Sequence, residues 1–214
     1  MRVRRSFCFV DLSGFTAMTE ESGDEQAVSV LTGFRAAVRD TCSRRAVRIA
    51  KWLGDGAMLV SVETAPIVAT ALELLFRCES RQVAVRCAIT TGSVILLEGD
   101  DYIGHCVNIA ARLCDLASAR EVLATPDLIP HMPPWSQVIE QKAVGLRGLE
   151  HPVEVVRLGL RSSDLSVPDP VCGIPLCRDS AVEIRTDGSG VPVLLCSTSC
   201  LETWSSRERV SAEG

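Results

Sequence analysis

The turn Gly54-Asp55-Gly56 constrains the fold more than any other feature, because it lies between two short apolar segments. Those segments, residues 47–52 and 57–62, have the length and the side chains of β-strands. An Asp-Gly pair between two strands favours a tight hairpin, since glycine reaches the positive φ angles that such turns need. The sequence therefore predicts two neighbouring antiparallel strands joined by this turn.

The segments around the hairpin predict the order β-α-β-β-α-β. Residues 5–12 read as a strand, and residues 24–39 and 67–76 carry apolar side chains at helical spacing. Two further strands are predicted on either side of Gly92, over residues 83–90 and 94–97. This order is the ferredoxin-like pattern, an antiparallel sheet with helices on one face, so the predicted fold class is α+β.

The second half of the chain adds elements and then changes composition. A helix is predicted over residues 103–117, and two last strands are predicted near residues 137–144 and 153–158. Near residue 160, Ser, Asp and Pro become frequent, as is typical of linkers. We predict four parts: a first domain, a linker, a small cysteine-rich C-terminal module and a tail, over residues 1–160, 161–168, 169–205 and 206–214.

Charge and hydropathy exclude several classes of function. The formal net charge is −5 and the sequence pI is about 5.3, which argues against a broad nucleic-acid-binding surface. No apolar segment reaches the length of a membrane helix. The basic N-terminus runs into Asp11 without the apolar stretch of a signal peptide. We therefore expect a cytoplasmic protein with no nucleic-acid or membrane partner.

The chain has ten cysteines, and those of the C-terminal module differ from the rest. Cysteines before residue 160 lie mostly in apolar segments and are interpreted as small buried hydrophobes. Cys196 and Cys200 lie four residues apart at a predicted helix start and can chelate one soft ion, Zn²⁺ or Cu⁺, together with Cys172. Cys177 is a candidate for a fourth ligand, and plain packing of the four thiols is the alternative.

Two aspartates are candidates for a second kind of metal site. Asp11 ends the first predicted strand, and Asp55 lies at the hairpin tip. If these strands are neighbours in the sheet, the two carboxylates converge at one edge, an arrangement that suits Mg²⁺ held together with phosphates. Each aspartate alone is equally typical of an ordinary turn.

The predicted helix over residues 103–117 carries a polar pair. Asn108 and Arg112 are four residues apart and therefore share one helix face. An arginine can clamp a phosphate through its planar guanidinium, and an asparagine can orient a hydroxyl group. A solvated helix surface is the alternative interpretation of this pair.

Four motifs resemble those of class III nucleotidyl cyclases in their order and spacing. They are the segments FVDLSGFT from residue 9, KWLGDG from residue 51, GHCVNIAARL from residue 104 and VGLRGL from residue 144. The resemblance covers roughly residues 5–160 and implies a lyase that converts ATP to 3′,5′-cyclic AMP and pyrophosphate in signal transduction.

The resemblance implies a role for each matching residue. Asp11 and Asp55, with the carbonyl group of Leu12, match the group that binds two Mg²⁺ or Mn²⁺ ions per active site. Lys51 and Asp101 match the pair that reads the purine, and this pair favours adenine.

Three residues match the positions that handle the ribose and the phosphates. Asn108 matches the residue that orients the ribose, and Arg112 matches the clamp on the phosphate in the transition state. Arg147 falls where many members carry a phosphate-binding lysine, which is a departure from the family pattern. Lys51 and Lys142 are the only lysines of this chain, so we expect arginine to supply the charge at position 147.

The family resemblance also implies a homodimer with two shared active sites, because the metal ligands come from one subunit and the Asn/Arg pair from the other. A catalytically weak or silent nucleotide-binding or metal-sensing module and a guanylate cyclase are the alternatives. Diguanylate synthesis is disfavoured because the sequence contains no Gly-Gly-Asp/Glu-Glu-Phe motif.

The C-terminal module resembles the small YHS/TRASH metal-binding modules. The matching parts are the opening Asp-Pro-Val-Cys-Gly, which includes Cys172, and the closing Cys-x-x-x-Cys of Cys196 and Cys200. The resemblance implies that these three cysteines bind a metal ion.

Overall fold

The structure is a computed structural model. It describes residues 1–79, 83–97, 101–161 and 166–212, with side chains up to residue 209 in the last helix. Within the chain, two compact units are distinguished. The first comprises Met1–Met132 and Val138–Leu158, and the second comprises Pro133–Gln137 and Gly159–Gly214.

An eight-stranded sheet organises the first unit. Its central path has the order β2-β3-β1-β4-β6-β8-β7, and β5 pairs with β4 outside that path. The strands are β1 (Arg2–Leu12), β2 (Arg48–Leu53), β3 (Gly56–Ser61), β4 (Val85–Leu96), β5 (Tyr102–Ile103), β6 (Val122–Ala124), β7 (Ser136–Val144) and β8 (Val153–Leu160). Strand β1 pairs antiparallel with both β3 and β4, while β4 and β6 are parallel.

Helices cover both faces of this sheet. They are α1 (Phe15–Ser22), α2 (Asp24–Arg44), α3 (Thr64–Glu79) and α4 (His105–Leu116). Because side chains alternate along β1, Ser6 and Phe7 point to opposite faces. Ser6 is hydrogen-bonded to Thr64 of α3 at 3.0 Å, whereas Phe7 packs in one cluster with Ala110 of α4. The elements β1-α2-β2-β3-α3-β4 thus form the predicted ferredoxin-like core, and α4 is an addition on the other face.

The buried carboxylate of Glu73 on α3 holds α2 in place. Thr41 Oγ1 donates a hydrogen bond to it at 3.2 Å, Arg45 Nε donates another at 2.7 Å, and Arg44 forms an ion pair with it. A buried charge is tolerated only when it is paired, and removing one partner of such a pair typically costs about 3–5 kcal/mol. This network therefore fixes the packing of the two core helices.

The prediction of two separate strands around Gly92 was wrong, since residues 85–96 form the single strand β4. A Cβ atom at Gly92 would lie 2.9 Å from both Cβ and Sγ of Cys106. Glycine at this position therefore allows α4 to pack close to β4, and it does not form a turn. Helix α1 and strand β6 were not predicted, because both are short and α1 buries none of its residues.

The second unit is built from small elements. Short strands β9 (Val167–Pro168) and β10 (Pro175–Leu176) pair, as do β11 (Glu183–Thr186) and β12 (Pro192–Leu195), and the helix α5 (Thr198–Ala212) follows. Part of the predicted linker, residues 162–165, lies outside the described residues, as does the end of the predicted tail at residues 213–214. The predicted domain limits stay predictions, although α5 continues past residue 205.

None of the described helices combines the length and the apolar character that a bilayer-spanning helix requires.

Two glycine substitutions test the packing of α4 on β4. Gly92→Ala should lower the free energy of unfolding by about 1–3 kcal/mol, because the added methyl group overlaps Cys106. Gly33→Ala is the matched control: it lies inside α2 with nothing within 4 Å of the added Cβ, and it should raise stability by about 1 kcal/mol. Urea denaturation followed by circular dichroism measures both, and equal stabilities of the two variants would contradict this account of β4.

Candidate active site

The two candidate metal-binding aspartates meet at one edge of the sheet. Asp11 lies near the end of β1, where it pairs with Gly56 of β3 on one side and Arg86 of β4 on the other. The backbone N–H of Leu12, the last residue of β1, donates to the carbonyl oxygen of Asp55 at 3.4 Å. The pairing of β1 with the hairpin therefore brings Asp11, Leu12 and Asp55 to the same place, as the sequence predicted.

Gly56 has no side chain, and the Asp11 carboxylate occupies the space where a Cβ atom would lie. A Cβ atom at this position would lie 2.8 Å from the carbonyl oxygen of Val10 and 2.9 Å from Asp11 Oδ1. Any other residue would push the carboxylate or the strand away. The glycine of the hairpin thus has a role in the site as well as in the turn.

Arg86 is a site residue that the sequence analysis missed. Its Nη2 and Nε atoms donate to Asp11 Oδ2 at 2.7 and 2.9 Å, and its Nη1 donates to the carbonyl oxygen of Asp115 at 3.0 Å. The arginine therefore fixes one oxygen of the Asp11 carboxylate. Only the register of β1 against β4 reveals this contact, because the two residues lie far apart in the sequence.

The remaining oxygens of the two aspartates fit a divalent cation. Among the residues that the structure describes, Asp11 Oδ1 accepts no hydrogen bond, and the Asp55 carboxylate has neither a hydrogen bond nor an ion pair. Carboxylate and carbonyl oxygens are the ligands that Mg²⁺ and Mn²⁺ prefer. The donor set is therefore compatible with such an ion.

Lys51 and Asp101 form a direct ion pair. Lys51 Nζ donates to Asp101 Oδ1 at 2.8 Å, and the backbone N–H of Tyr102 donates to the same oxygen at 2.9 Å. The hydrogen bond from Lys51, followed by that from Tyr102, lowers the pKa of Asp101 below its ordinary value. Tyr102 itself is anchored by an edge-on contact with Phe7, at 5.2 Å between ring centroids.

Helix α4 presents Asn108 at the surface and Arg112 in a half-buried position. Arg112 and Arg147 line one cavity of about 660 Å³, together with Asp115 and the loop of Gly145, Leu146 and Gly148. Gly148 has a φ angle of 77° and approaches the guanidinium of Arg112, so that a Cβ there would lie 3.5 Å from its Nη1 atom.

The charges in that cavity are available for an anion. Within the described ranges, neither the Arg112 nor the Arg147 guanidinium has a hydrogen bond or an ion pair to another side chain. Two unpaired arginines at one cavity attract phosphate groups.

A second cavity connects the aspartate edge with α4. It has a volume of about 240 Å³ and is lined by Asp11 and Gly56 from the sheet and by Ala111 and Asp115 from the helix, among others. Asp115 lines both cavities. The structure thus brings the end of β1 and the C-terminal half of α4 close together.

A separate cluster in the second unit contains three of the four candidate cysteines. Ligand atoms of Asp169, Cys172, Cys196 and Cys200 all lie within 4.8 Å of one another, and all four residues are buried. Cys196 Sγ lies 3.5 Å from the Sγ atoms of both Cys172 and Cys200. Cys177 is not part of this cluster, and the fourth group beside the three cysteines is Asp169.

Asp169 binds the two ligand-bearing segments together. Its Oδ1 accepts hydrogen bonds from the backbone N–H groups of Val171 at 2.7 Å and Cys172 at 3.2 Å, and its Oδ2 accepts one from Cys196 at 2.8 Å. Burial raises the pKa of Asp169. The hydrogen bonds that Cys172 and Cys196 direct at Cys200 lower the pKa of the Cys200 thiol, which favours a thiolate inside the cluster.

Comparison with known protein families finds no match, but single relatives exist. An uncharacterized protein of Mycobacterium tuberculosis is 34% identical over 166 residues, which cover 76% of this chain and 43% of that protein. An adenylate cyclase of Streptomyces griseus is 26% identical over 152 residues, which cover 70% of this chain and 38% of that protein. The chain therefore spans less than half the length of these relatives.

Solved cyclase structures match the chain over nearly their whole length. The adenylyl cyclase CyaB of P. aeruginosa is 22% identical with a TM-score of 0.63, covering 77% of this chain and 98% of that one. The guanylyl cyclase Cya2 is 19% identical with a TM-score of 0.62, covering 75% and 94%. A non-canonical dimeric guanylyl cyclase domain of Blastocladiella emersonii is 13% identical with a TM-score of 0.63, covering 76% and 99%.

The chain thus has the fold of nucleotidyl cyclase catalytic domains, which confirms the predicted fold class. The names of its relatives also support a cyclase domain. Adenylate and guanylate cyclases both occur among the similar proteins, so these likenesses leave the purine open. They do not confirm the YHS/TRASH resemblance, which stays a prediction.

Proposed function

We propose that this chain is an adenylate cyclase that converts ATP to 3′,5′-cyclic AMP and pyrophosphate. The observation that carries the proposal is the meeting of Asp11 and Asp55 at the end of β1, across a glycine that leaves room for the Asp11 carboxylate. Both aspartates keep carboxylate oxygens without hydrogen bonds among the described residues. This is the arrangement that a divalent metal with bound triphosphate requires.

Asp11, Asp55 and the Leu12 carbonyl group would hold two Mg²⁺ or Mn²⁺ ions. When bound, such ions lower the pKa of the ribose 3′-hydroxyl and neutralise the leaving pyrophosphate. The contribution of the chain is orientation: Arg86 holds Asp11 Oδ2 at 2.7 Å, so that Oδ1 points toward Gly56 and the hairpin. A carboxylate fixed in this way needs no rearrangement to bind an ion.

Arg112 and Arg147 supply positive charge for the phosphates. Negative charge grows on the α-phosphate oxygens as the 3′-oxygen attacks, and a fixed guanidinium stabilises that charge. Arg147 stands where the family commonly has lysine, and it retains the charge. Asn108, one helical turn before Arg112 and exposed at the surface, would orient the ribose by its side-chain amide.

The ion pair of Lys51 and Asp101 supports adenine as the purine. The Asp101 carboxylate can accept a hydrogen bond from the adenine 6-amino group, and Lys51 can donate one to a ring nitrogen. Guanine carries the acceptor O6 at that position, which would face the carboxylate. A mismatch of this kind typically costs about 1–3 kcal/mol, or roughly ten- to a hundredfold in selectivity.

We further propose a homodimer with two shared sites, as the family resemblance implies. One structural neighbour is a non-canonical dimeric guanylyl cyclase domain, which supports dimer formation as such, whereas the sharing of the sites rests on the family resemblance. In such a dimer the aspartates of one subunit would face Asn108 and Arg112 of the other.

The proposal predicts the product of a direct assay. The purified chain with Mn²⁺ should form cyclic AMP from ATP, and at least roughly tenfold less cyclic GMP from GTP. Asp55→Asn, which keeps the shape of the side chain but removes its charge, should lower turnover by more than roughly a hundredfold. Arg4→Met, at an exposed and distant ion pair with Asp127, is the control and should leave turnover unchanged.

Chromatography of the nucleotides separates the candidate functions. Cyclic GMP as the main product would assign a guanylate cyclase. ATP binding without any cyclic product would assign the catalytically silent nucleotide-binding module.

Shared sites predict complementation between two inactive variants. Asp55→Ala lacks a metal ligand, and Arg112→Ala lacks the phosphate clamp. In an equimolar mixture, half of the dimers are mixed and have one intact site each, so about a quarter of the wild-type activity should return. If subunit exchange is demonstrated by mass spectrometry and the mixture stays inactive, the sites are not shared.

The thiol cluster supports a second function, the binding of one soft metal ion by Cys172, Cys196 and Cys200. The supporting observation is that three sulfur atoms and the Asp169 carboxylate converge in a buried place. Thiolate sulfur favours Zn²⁺ or Cu⁺ over the Mg²⁺ or Mn²⁺ of the aspartate site, so the two sites would not compete for one ion.

Metal content of the full chain tests the thiol site. After reconstitution with Zn²⁺ under reducing conditions, the wild-type chain should hold one zinc ion per chain in elemental analysis. The triple Cys172→Ser, Cys196→Ser, Cys200→Ser variant should hold none. Cys177→Ser is the matched control, because Cys177 lies outside the cluster, and it should bind zinc as the wild type does. Equal metal content in the triple variant and the wild type would leave the cysteines as packing residues.

A further inference from the structure

Trp135 is hydrogen-bonded to the thiol cluster from a distant part of the sequence. Its indole Nε1 donates to the carbonyl oxygen of Cys196 at 2.8 Å. Trp135 is fully buried, and Cys196 is 2% exposed. The tryptophan belongs to the segment Pro133–Gln137, which is part of the second unit although it lies within the cyclase-like portion of the sequence.

Cys196 is held by contacts on three sides. Its backbone N–H donates to Asp169, its sulfur contacts Cys172 and Cys200, and its carbonyl oxygen accepts the hydrogen bond from Trp135. These contacts connect the sulfur atoms of the cluster to Trp135 through the backbone of Cys196.

Metal binding would alter the bonding of these sulfur atoms. Tetrahedral zinc with Zn–S bonds of about 2.3 Å places its ligand atoms about 3.8 Å apart. In the structure, Cys196 Sγ lies 3.5 Å from both neighbouring sulfur atoms. Coordination also removes the thiol protons and therefore the hydrogen bonds between the sulfur atoms.

Trp135 immediately precedes strand β7. This strand ends next to the loop that lines the cavity of Arg112 and Arg147. Strand β7 begins at Ser136, the next residue, and ends at Val144. The loop Gly145–Gly148 follows and contains Arg147, which lines the cavity with Arg112. The beginning of β7 is also tied to the end of β8, because Arg161 N–H donates to the Trp135 carbonyl oxygen at 2.8 Å. The same strand thus starts at the thiol cluster and ends at the phosphate-binding candidate.

We propose that a soft metal ion in the thiol cluster regulates the cyclase site, through Trp135 and strand β7, by ordering the loop that carries Arg147. This inference rests on both proposed functions, cyclase activity and metal binding. Zinc bound to Cys196 fixes the start of β7, and a fixed strand holds its terminal loop in fewer conformations. The zinc-loaded form is therefore the more active one.

The test compares the metal-free and zinc-loaded full chain, with free zinc removed by gel filtration. Loading should raise the rate of cyclic AMP formation about fivefold or more, which is the lower range of typical coupling between sites. It should also slow amide hydrogen exchange in residues 144–149. The triple Cys→Ser variant, treated in the same way, should show neither effect, which excludes zinc acting at the aspartates.

Trp135→Phe separates binding from regulation. The variant keeps an aromatic ring in the buried position but lacks the N–H donor, so it should bind one zinc ion per chain and lose both responses. Trp204→Phe on α5 is the control and should respond as the wild type does. A variant that binds zinc and still shows both responses would overturn the role of Trp135.

Amide hydrogen exchange tests the proposed coupling independently of cyclase activity. A wild-type chain that makes no cyclic nucleotide in either form refutes the cyclase proposal, while the exchange of residues 144–149 still reports the coupling. Unchanged exchange in the wild type on zinc loading overturns the inference, and this measurement needs no variant that could fail to fold.

Discussion

The hydrogen-bonded register of β1 is the constraint on which the candidate active site depends. Because β1 pairs with β3 on one side and β4 on the other, the position of Asp11 determines which residues flank it, namely Gly56 and Arg86. A shift by one residue would turn Asp11 to the opposite face and replace it by Val10. Burial of Phe7 on one face and Cys8 on the other opposes such a shift, since a slip would reverse both. Packing of the core thus positions the Asp11 carboxylate before any ligand binds.

The charged residues of the candidate site fall into two groups with different consequences. Asp11 with Arg86 and Lys51 with Asp101 form pairs, which hold their side chains in one orientation before any ligand binds. Arg112 and Arg147 have no such partners among the described residues and line a cavity. In the proposed function, paired groups would provide orientation, and unpaired cations would provide attraction for the triphosphate. Both would be needed in the proposed cyclisation, which uses no nucleophile from the protein, since positioning and charge stabilisation would then supply the rate enhancement.

Local patterns predicted much of this arrangement, whereas pairings across the sheet could not be predicted. The hairpin at Gly54–Gly56, the ferredoxin-like order and the polar face of α4 depend on neighbouring residues and were found from the sequence. Arg86 was missed because its role follows from a strand register. Gly92 was misread as a turn because its close contact with Cys106 comes from the packing of α4. Asp169 was overlooked because an aspartate before a proline is typical of turns, and its buried bonds to Val171, Cys172 and Cys196 come from the fold of the second unit.

The second unit cannot be separated from the cyclase-like part by cutting the chain at one position. Its buried residues include Trp135, which lies before β7, together with Ile174, Leu176 and Leu195 from the segment after the predicted linker. A fragment beginning near residue 165 would lack that indole and its hydrogen bond to Cys196. Small domains depend on few buried side chains or on a bound metal for their stability. Because the chain supplies the tryptophan from outside the module, the proposed regulation would also act in reverse: if metal binding alters the position of β7, the position of β7 alters metal binding to the same extent.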